Sequence, residues 1–173
     1  DCQEMKALHD PDETVLDEEL TRAMTPFSQK SGDVTALRNR LQDVMWEDVG
    51  VMRDADGLQR GLKRIAEIDD ELSSVGVAAD NLAFNLSWHD WLNLRSLIDM
   101  SMVIAKAALS RENSRGAHFR EDFPDAGAMQ ESYFTLASGY GDAISVTRAP
   151  VQFTIVKPGE TLLGEDEAET FIK

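Results

Sequence analysis

Cysteine is almost absent from this sequence: Cys2 is the single example among 173 residues. One thiol cannot form a disulfide within the chain, and it cannot supply the several thiolates of a structural zinc site. Proteins without disulfides are typical of reducing compartments. The sequence therefore predicts a cytoplasmic location.

Long apolar runs and an excess of positive charge are also missing. Charged residues interrupt the most apolar stretch, so nothing approaches the roughly 20 residues that a membrane-spanning helix requires. Seventeen Lys and Arg stand against 32 Asp and Glu, which gives a formal net charge of -15. Such a surface repels phosphate backbones and anionic lipid headgroups. We therefore expect neither nucleic-acid binding nor direct membrane insertion.

Motifs that mark catalytic sites are missing too. The sequence has no glycine-rich phosphate loop, no paired cysteines and no G-x-S-x-G elbow. Its three histidines are His9, His89 and His118. His89 lies beside Asp90 in a predicted helix, and adjacent helical positions do not face one another. We predict an ordinary hydrogen-bonding role for His89, no metal site, and no catalytic or cofactor-binding residue in this chain.

Three segments carry apolar residues at helical spacing. The first helix is predicted from residue 34 to about 53. The second follows "DADG" and ends before Gly76. The third starts near Asp80 or Ser87 and reaches Arg115, with Gly116 as its stop in a left-handed conformation. A shorter helix is expected at about 16–24. The apolar stripes comprise Val34, Leu37, Leu41, Val44, Met45, Val51 and Met52; Leu58, Leu62, Ile65, Ile68 and Leu72; and Trp88, Trp91, Leu94, Ile98, Ile104, Ala105, Ala108 and Leu109.

Amphipathic helices joined by short turns bury their stripes against one another. We therefore predict a mainly α fold: an antiparallel three-helix bundle of the spectrin-repeat kind at 34–116, after an N-terminal extension at 1–33. Trp88 and Trp91 share a helix face, which bundle packing explains better than stacking on a ligand. The predicted core comprises Leu41, Met45, Leu62, Ile65, Leu94, Ile98 and Ile104.

A C-terminal arm is expected at 117–173, because the composition changes after Pro124. The segments "SYFTLASG" and "AISVTRAPVQFTIVKPGE" are rich in β-branched and aromatic residues, and Val151, Phe153 and Ile155 alternate with polar residues. These segments read as short strands. Because an isolated hairpin is marginal in water, the arm is expected to lie on the bundle or on another domain.

The stretch "SRENSRGAHFREDFPD" at 110–125 concentrates the scarce basic residues. Arg111 and Arg115 would share a face of the third helix, where like charges repel by about 0.2–0.5 kcal/mol. The carbonyls of a helix C-terminus offset this, because they favour cations by about 0.3–1 kcal/mol. The helix end does not explain the charges beyond Gly116.

Guanidinium groups that contact carboxylates would explain those further charges. We therefore predict a polar clasp, within this domain or between domains, in preference to a catalytic site. Arg115 and Arg120 should be partly buried and hydrogen-bonded, with His118 close by. The clasp comprises Arg111, Arg115, Gly116, His118, Arg120, Glu121 and Asp122.

The pattern R-x-x-S-R-G-A-H-x-R-x-D-x-P in this stretch resembles the C-terminal region of succinate dehydrogenase and fumarate reductase flavoprotein subunits. L-aspartate oxidases share a looser version of it. The resemblance begins near Leu37 and runs through "LQDVMWEDVGVMRD" and "GLQRGLKRIAEI" to "LRSLIDMSMVIAKAALSRENSRGAHFREDFPD". It covers most of the chain.

The resemblance implies a three-helix domain that follows an FAD-binding domain and a capping domain, in enzymes that interconvert a dicarboxylate and its unsaturated partner. The family's flavin-binding glycine loop and substrate-binding residues belong to those earlier domains. Their absence, together with a first residue other than Met, predicts a C-terminal fragment that holds no FAD and is inactive alone.

The resemblance also implies partners for this fragment: the FAD-binding domain of the same parent chain, and an iron–sulfur subunit. A parent complex of that kind would lie at the periphery of the inner membrane. The alternative hypothesis is a free-standing acidic helical interaction module derived from the same domain. An upstream G-x-G-x-x-G in the same reading frame would exclude this alternative.

Overall fold

The computed structural model describes residues 12–139 and 143–160. This part of the chain is mainly helical, as predicted, with short strands towards its C-terminal end. Cys2 and His9 lie outside the described residues. The elements are α1 (Glu13–Met24), α2 (Val34–Glu47), β1 (Met52–Arg53), α3 (Ala55–Leu72), α4 (Leu86–Ser110), β2 (Phe119–Arg120), β3 (Tyr133–Ser138) and β4 (Ser145–Pro150).

The chain forms two compact units. Among the described residues, the first comprises 12–42 together with Ala66–Ile98, and the second comprises Asp43–Ile65 together with 99–139 and 143–160. Helices α2, α3 and α4 therefore each contribute residues to both units.

The first unit begins with α1, whose N-cap Asp12 accepts a hydrogen bond from the Thr14 amide at 3.0 Å. A short 3-10 turn that contains Pro26 follows α1 directly, in agreement with the predicted end of this helix. The rings of Trp88 and Trp91 both pack within this unit. Trp88 donates to the Ala23 carbonyl and Trp91 to the Val75 carbonyl, each at 2.8 Å. The buried apolar residues of this unit include Leu37, Leu41, Ile68, Leu72, Trp91, Leu94 and Ile98.

Gly76 shows why the chain can close tightly in the first unit. It forms a parallel bridge with Ser31, and its amide donates to the Lys30 carbonyl at 2.8 Å. A Cβ atom at Gly76 would lie 2.3 Å from the Gln29 carbonyl oxygen, which is too close for any other residue. The backbone after α3 can therefore approach the segment before α2 only through a glycine.

The second unit is built on the close approach of α3 to the end of α2. A Cβ atom at Gly61 would lie 3.0 Å from side-chain atoms of both Asp48 and Val49. The buried Asp48 carboxylate accepts from Arg60 at 2.7–2.8 Å and from Arg64 at 2.8 Å. The buried apolar residues here include Val44, Val49, Leu58, Ile65, Ala105, Ala108 and Ile144.

Strands β3 and β4 form an antiparallel hairpin in the second unit, with pairs from Tyr133↔Pro150 to Ser138↔Ser145. Lys106 of α4 donates to the Ile144 carbonyl at 3.3 Å, so the hairpin is tied to this helix. The predicted continuation of the strand through residues 151–155 is wrong. The Val151 amide donates to the Ser132 carbonyl, and the chain before Tyr133 then turns into a 3-10 helix. Residues 151–160 therefore pair with no strand in the described part of the chain.

Two predicted helix ends are also wrong. Helix α2 ends at Glu47 and not near residue 53, and Val51 and Met52 are exposed beyond it. Helix α4 ends at Ser110 and not at Arg115.

Three residues of the predicted core are less buried than expected. Ile104 is 44% exposed, and Met45 and Leu62 are only half-buried. None of the described helices is long and apolar enough to cross a membrane.

Candidate functional site

Arg120 is the centre of the predicted clasp, and its side chain is only 1% exposed. Its Nε and Nη2 atoms donate to the two carboxylate oxygens of Asp122 at 2.7 and 2.6 Å. Its Nη1 atom donates to the carbonyls of Ala108, Leu109 and Arg111 at 3.1–3.2 Å. The guanidinium therefore uses every nitrogen, with the bidentate geometry that makes such pairs strong.

These contacts explain why α4 stops at Ser110. The last four carbonyls of an α-helix have no partner within the helix. Here Ser110 Oγ donates to the Ala107 carbonyl, Arg120 donates to those of Ala108 and Leu109, and Arg148 donates to that of Ser110. A cation at this end also complements the helix dipole. The positive charge at this end of α4 therefore comes from Arg120 and Arg148, which lie outside the helix. It does not come from Arg111 and Arg115, as predicted.

Asp122 extends the network to a second helix. Its Oδ2 atom accepts from the amide of Ala55, the first residue of α3, at 3.0 Å. Hydrogen bonds from Arg120 and then from the Ala55 amide lower the pKa of Asp122 to about 2. A carboxylate near the start of a helix is favoured by the helix dipole. The Arg120–Asp122 pair therefore links the C-terminal end of α4 to the N-terminal end of α3.

His118 is buried and contacts a residue that the sequence reasoning missed. Its Nδ1 atom accepts from Arg53 Nη1 at 2.9 Å. Since a guanidinium only donates, the neutral ring carries its proton on Nε2. Burial, and then the charges of Arg111, Arg53 and Arg120, lower the pKa of His118. The Arg111 carbonyl opposes this shift, but no described acceptor completes a hydrogen bond to the buried Nε2 atom.

Arg53 joins the cluster through the short parallel pairing of β1 with β2. The register places Arg53 opposite Arg120, and the Glu121 amide donates to the Arg53 carbonyl at 2.7 Å. Arg53 Nε also donates to the carbonyls of Val49 and Gly50. The sequence signal for this residue is weak, because a two-residue strand has no periodicity to detect.

Gly116 occupies a tight turn and not a helix exit. Arg115 and His118 exchange backbone hydrogen bonds at 2.9 and 3.1 Å, and Gly116 between them has φ +59°. This left-handed conformation at the first central position is that of a type II′ turn, which favours glycine. The predicted left-handed conformation is confirmed, although its predicted place at a helix end is wrong.

Arg115 is half-buried and braces the segment after the turn. It donates to the carbonyls of Ala126 and Ala128 and, at 2.9 Å, to Ser132 Oγ. Arg111 makes one longer contact, at 3.3 Å, with Asn113 Oδ1. Since α4 ends before both arginines, they do not share a helix face.

The expected burial and hydrogen bonding of Arg115, His118 and Arg120 are thus present. Glu121 contributes its backbone amide, while its exposed carboxylate makes no ion pair with a described residue. The interdomain role of the clasp stays a prediction.

Within residues 12–139 and 143–160, no three His, Cys, Asp or Glu side chains are arranged to hold a metal ion. His89 is exposed and hydrogen-bonds Asn93 at 2.9 Å, which agrees with the ordinary role predicted for it. The arginine cluster holds backbone segments together through hydrogen bonds. Its chemical role is therefore to position these segments.

Comparison with known proteins places these features in a family. Residues 38–162 match the family model for the fumarate reductase flavoprotein C-terminal region. An uncharacterized FAD-dependent oxidoreductase of Methanocaldococcus jannaschii is 32% identical over 119 residues, which are 68% of this chain and 21% of that protein. The succinate dehydrogenase flavoprotein subunit of Rickettsia bellii is 31% identical over 138 residues, which are 77% of this chain and 23% of that protein.

A solved structure agrees with these sequence matches. Mycobacterium smegmatis Sdh1 in complex with UQ1 has a TM-score of 0.78 and 26% identity, over 88% of this chain and 26% of that one. The chain therefore spans about a fifth to a quarter of the length of the relatives it matches. The matched region includes all seven residues of the predicted clasp. This chain belongs to the family of fumarate reductase flavoprotein C-terminal regions.

Proposed function

We propose that this chain is the structural C-terminal part of an FAD-dependent oxidoreductase of the fumarate reductase and succinate dehydrogenase type. The observation that supports this role is the pair of buried Arg120 with the partly exposed Asp122, which joins the end of α4 to the start of α3. Such a pair maintains a rigid backbone junction and presents no reacting group. The catalysis of dicarboxylate oxidoreduction would belong to the rest of the parent protein.

The cofactor of the parent would be FAD, held outside this chain. The proposal follows from the family and from one relative whose name states FAD dependence. The glycine-rich loop that cradles a dinucleotide pyrophosphate is missing from the sequence. This chain would therefore support the flavin domain without contacting the cofactor's phosphates through such a loop.

We propose further that the clasp residues face the FAD-binding domain of the same parent chain, and that an iron–sulfur subunit is a second partner. In this arrangement α2, α3 and α4 form an antiparallel three-helix bundle at 34–116, with an extension at 1–33 and an arm at 117–173. The parent complex would be peripheral to the inner membrane. Half-buried Arg115 is the clasp residue best suited to transmit such contacts, because it braces residues 126–132.

The test uses the full-length parent polypeptide with Arg115→Ala. We expect FAD to dissociate more readily, measured as flavin absorbance per protein after gel filtration, while the preferred substrate stays the same. The matched control is Arg22→Ala, which removes an exposed pair with Glu19. If both variants keep a full complement of flavin, the interdomain role of the clasp is wrong. If the full-length polypeptide binds no flavin at all, the proposed parentage is wrong.

A further inference from the structure

The imidazole of His118 is held in the arginine cluster by a single good hydrogen bond. The residue is 6% exposed, and its Nδ1 atom accepts from Arg53 Nη1 at 2.9 Å. The buried Nε2 atom completes no hydrogen bond with a described residue. The Arg111 carbonyl, which favours a charged ring, already accepts from Arg120 Nη1 at 3.1 Å. The position of the ring therefore depends on an unprotonated Nδ1 atom.

The charged groups that act on His118 are all cations. They are the guanidinium groups of Arg111, which follows α4, of Arg53 in β1 and of Arg120 in β2. A proton on Nδ1 would add a fourth positive charge to this buried group. Like charges at close range disfavour the protonated form of a histidine, and so does burial.

The carboxylates near the cluster do not hydrogen-bond the ring. Asp122 forms the bidentate pair with Arg120 and also accepts from the Ala55 amide. Asp54 and Glu112 act on Arg120, and Asp54 accepts from a backbone amide of α3 at 2.6 Å. The imidazolium form of His118 would therefore have no carboxylate partner among the described residues.

Protonation also removes the one good hydrogen bond of the ring. An imidazolium donates from both nitrogens and accepts from neither, and a guanidinium only donates. The Nδ1–H group of protonated His118 would face the Nη1–H group of Arg53 across the present 2.9 Å. The closed arrangement therefore excludes the protonated ring, and proton uptake requires the ring to leave.

The turn at residues 115–118 is the part that can leave with the ring. Arg120 is anchored by five hydrogen bonds, and Arg53 Nε is bound to two carbonyls of its own loop. The turn is held by two backbone hydrogen bonds between Arg115 and His118, and the pairing of β1 with β2 covers only two residues. Segments with few contacts open without unfolding the rest of a protein.

We propose that His118 is a pH-sensitive latch: the neutral ring holds the turn at residues 115–118 on Arg53, and proton uptake releases this turn while Arg120 keeps its hold on α4. The proposal does not depend on the flavoprotein parentage, because this chain alone buries the ring and supplies the three cations around it. Further protein that covers this surface would only increase the burial.

Hydrogen–deuterium exchange of the full-length protein, followed by mass spectrometry, measures the opening of the turn. The reporters are the backbone amides of Arg115, His118 and Glu121, which donate within the turn or to the Arg53 carbonyl. Protection factors remove the intrinsic pH dependence of exchange and are compared at pH 7.5 and 5.5. The opening constant should rise about tenfold at the lower pH, which is the limit for an open-state pKa of about 6.5.

A comparison with α4 shows whether the opening is local. At both pH values the reporter amides should be less protected than the amides of residues 91–105, because the turn opens while the helix stays folded. Equal protection in the two segments would overturn the proposal, since protons would then act only through unfolding of the whole domain.

Two variants connect the opening to the charge of the ring. His118→Asn keeps an acceptor for Arg53 but does not titrate, so its opening constant should be the same at both pH values. Arg111→Met removes a cation whose side chain makes one 3.3 Å contact, with Asn113. The closed cluster then tolerates a charged ring better, and the tenfold rise should become smaller. Arg22→Met, outside the cluster, is the matched control and should keep the full rise.

Three further results would contradict the latch. They are an opening constant that is unchanged between pH 7.5 and 5.5, a rise in His118→Asn as large as in the wild type, and a rise in Arg111→Met as large as in Arg22→Met. The last comparison decides the matter if His118→Asn does not fold.

Discussion

At the scale of single residues, the stability of this chain depends on which arginines are buried. Arg120 is almost completely buried and pairs with the partly exposed Asp122, whereas Arg22 and Glu19 form a pair in which both side chains are about half exposed. Arg120→Ala should lower the free energy of unfolding by about 3–5 kcal/mol, because it leaves α4 uncapped and Asp122 without its partner.

Arg22→Ala is the matched control and should cost at most about 1 kcal/mol. Urea unfolding of the 173-residue chain measures both values. Arg60 would be a poor control, because it pairs with the buried Asp48 carboxylate. Equal losses for Arg120→Ala and Arg22→Ala would contradict the central place of Arg120.

Asp122 offers a spectroscopic test of the same pair. Its pKa of about 2 results mainly from the hydrogen bonds of Arg120. In Arg120→Lys the bidentate contact is lost, and the pKa should rise towards the usual value of about 3.9. The side-chain carboxyl carbon followed by NMR during acid titration reports this value. A pKa that stays near 2 in the variant would show that the Ala55 amide is the dominant cause.

His118 makes stability depend on pH in a defined direction. Its pKa is lowered in the folded chain by burial and by Arg111, so the unfolded chain binds the proton more readily. Stability from this group is complete above the unfolded pKa of about 6.5 and is lost as the pH falls towards the lower folded pKa. The free energy of unfolding should therefore decrease as the pH is lowered from 7.5 to 5.

The variant His118→Gln should reduce this slope, since glutamine can still accept from Arg53 but does not titrate. Replacement of the exposed His89 by glutamine is the matched control, because it makes the same substitution outside the arginine cluster. If His118→Gln unfolds with the wild-type pH dependence, another group causes it.

At the scale of elements, α4 shows how far a stripe of apolar residues reflects burial. Ile98 is 1% exposed, while Ile104 on the same helix is 44% exposed. Ile98→Ala should cost about 2–5 kcal/mol, because it leaves a cavity in the first unit. Ile104→Ala should cost less than about 1 kcal/mol, because the shortened side chain leaves no enclosed space.

Thermal unfolding of the two alanine variants compares the same chemical change in one helix. Circular dichroism at 222 nm follows the loss of helix in each. If the two variants melted at the same temperature, the burial pattern along α4 described above would be incorrect.

At the scale of the whole molecule, the family membership predicts what the purified chain lacks. It spans about a fifth to a quarter of the matched relatives and has no dinucleotide-binding glycine loop. We expect the 173-residue chain to be folded, helical and colourless, with no fumarate reductase activity. An absorbance spectrum after purification with added FAD measures this. Stoichiometric flavin absorbance near 450 nm would contradict the prediction.

The sequence by itself determined the helical class, the approximate helix positions and the family, because these depend on local patterns. Apolar spacing identified Leu41, Ile65, Leu94 and Ile98 as buried, and the motif around Arg120 carried the resemblance. Gly116 was correctly expected in a left-handed conformation, since few other residues adopt it.

The tertiary structure alone decided where the helices end and which charges meet. Helix α4 stops at Ser110 because Arg120, ten residues later, donates to its carbonyls. The helical spacing of apolar residues does not predict a contact with a residue beyond the helix. Arg53 meets His118 across 65 positions through a two-residue strand pairing that no periodicity signals. Periodicity describes which face of an element is apolar, whereas helix ends and ion pairs depend on donors and acceptors brought together by the fold.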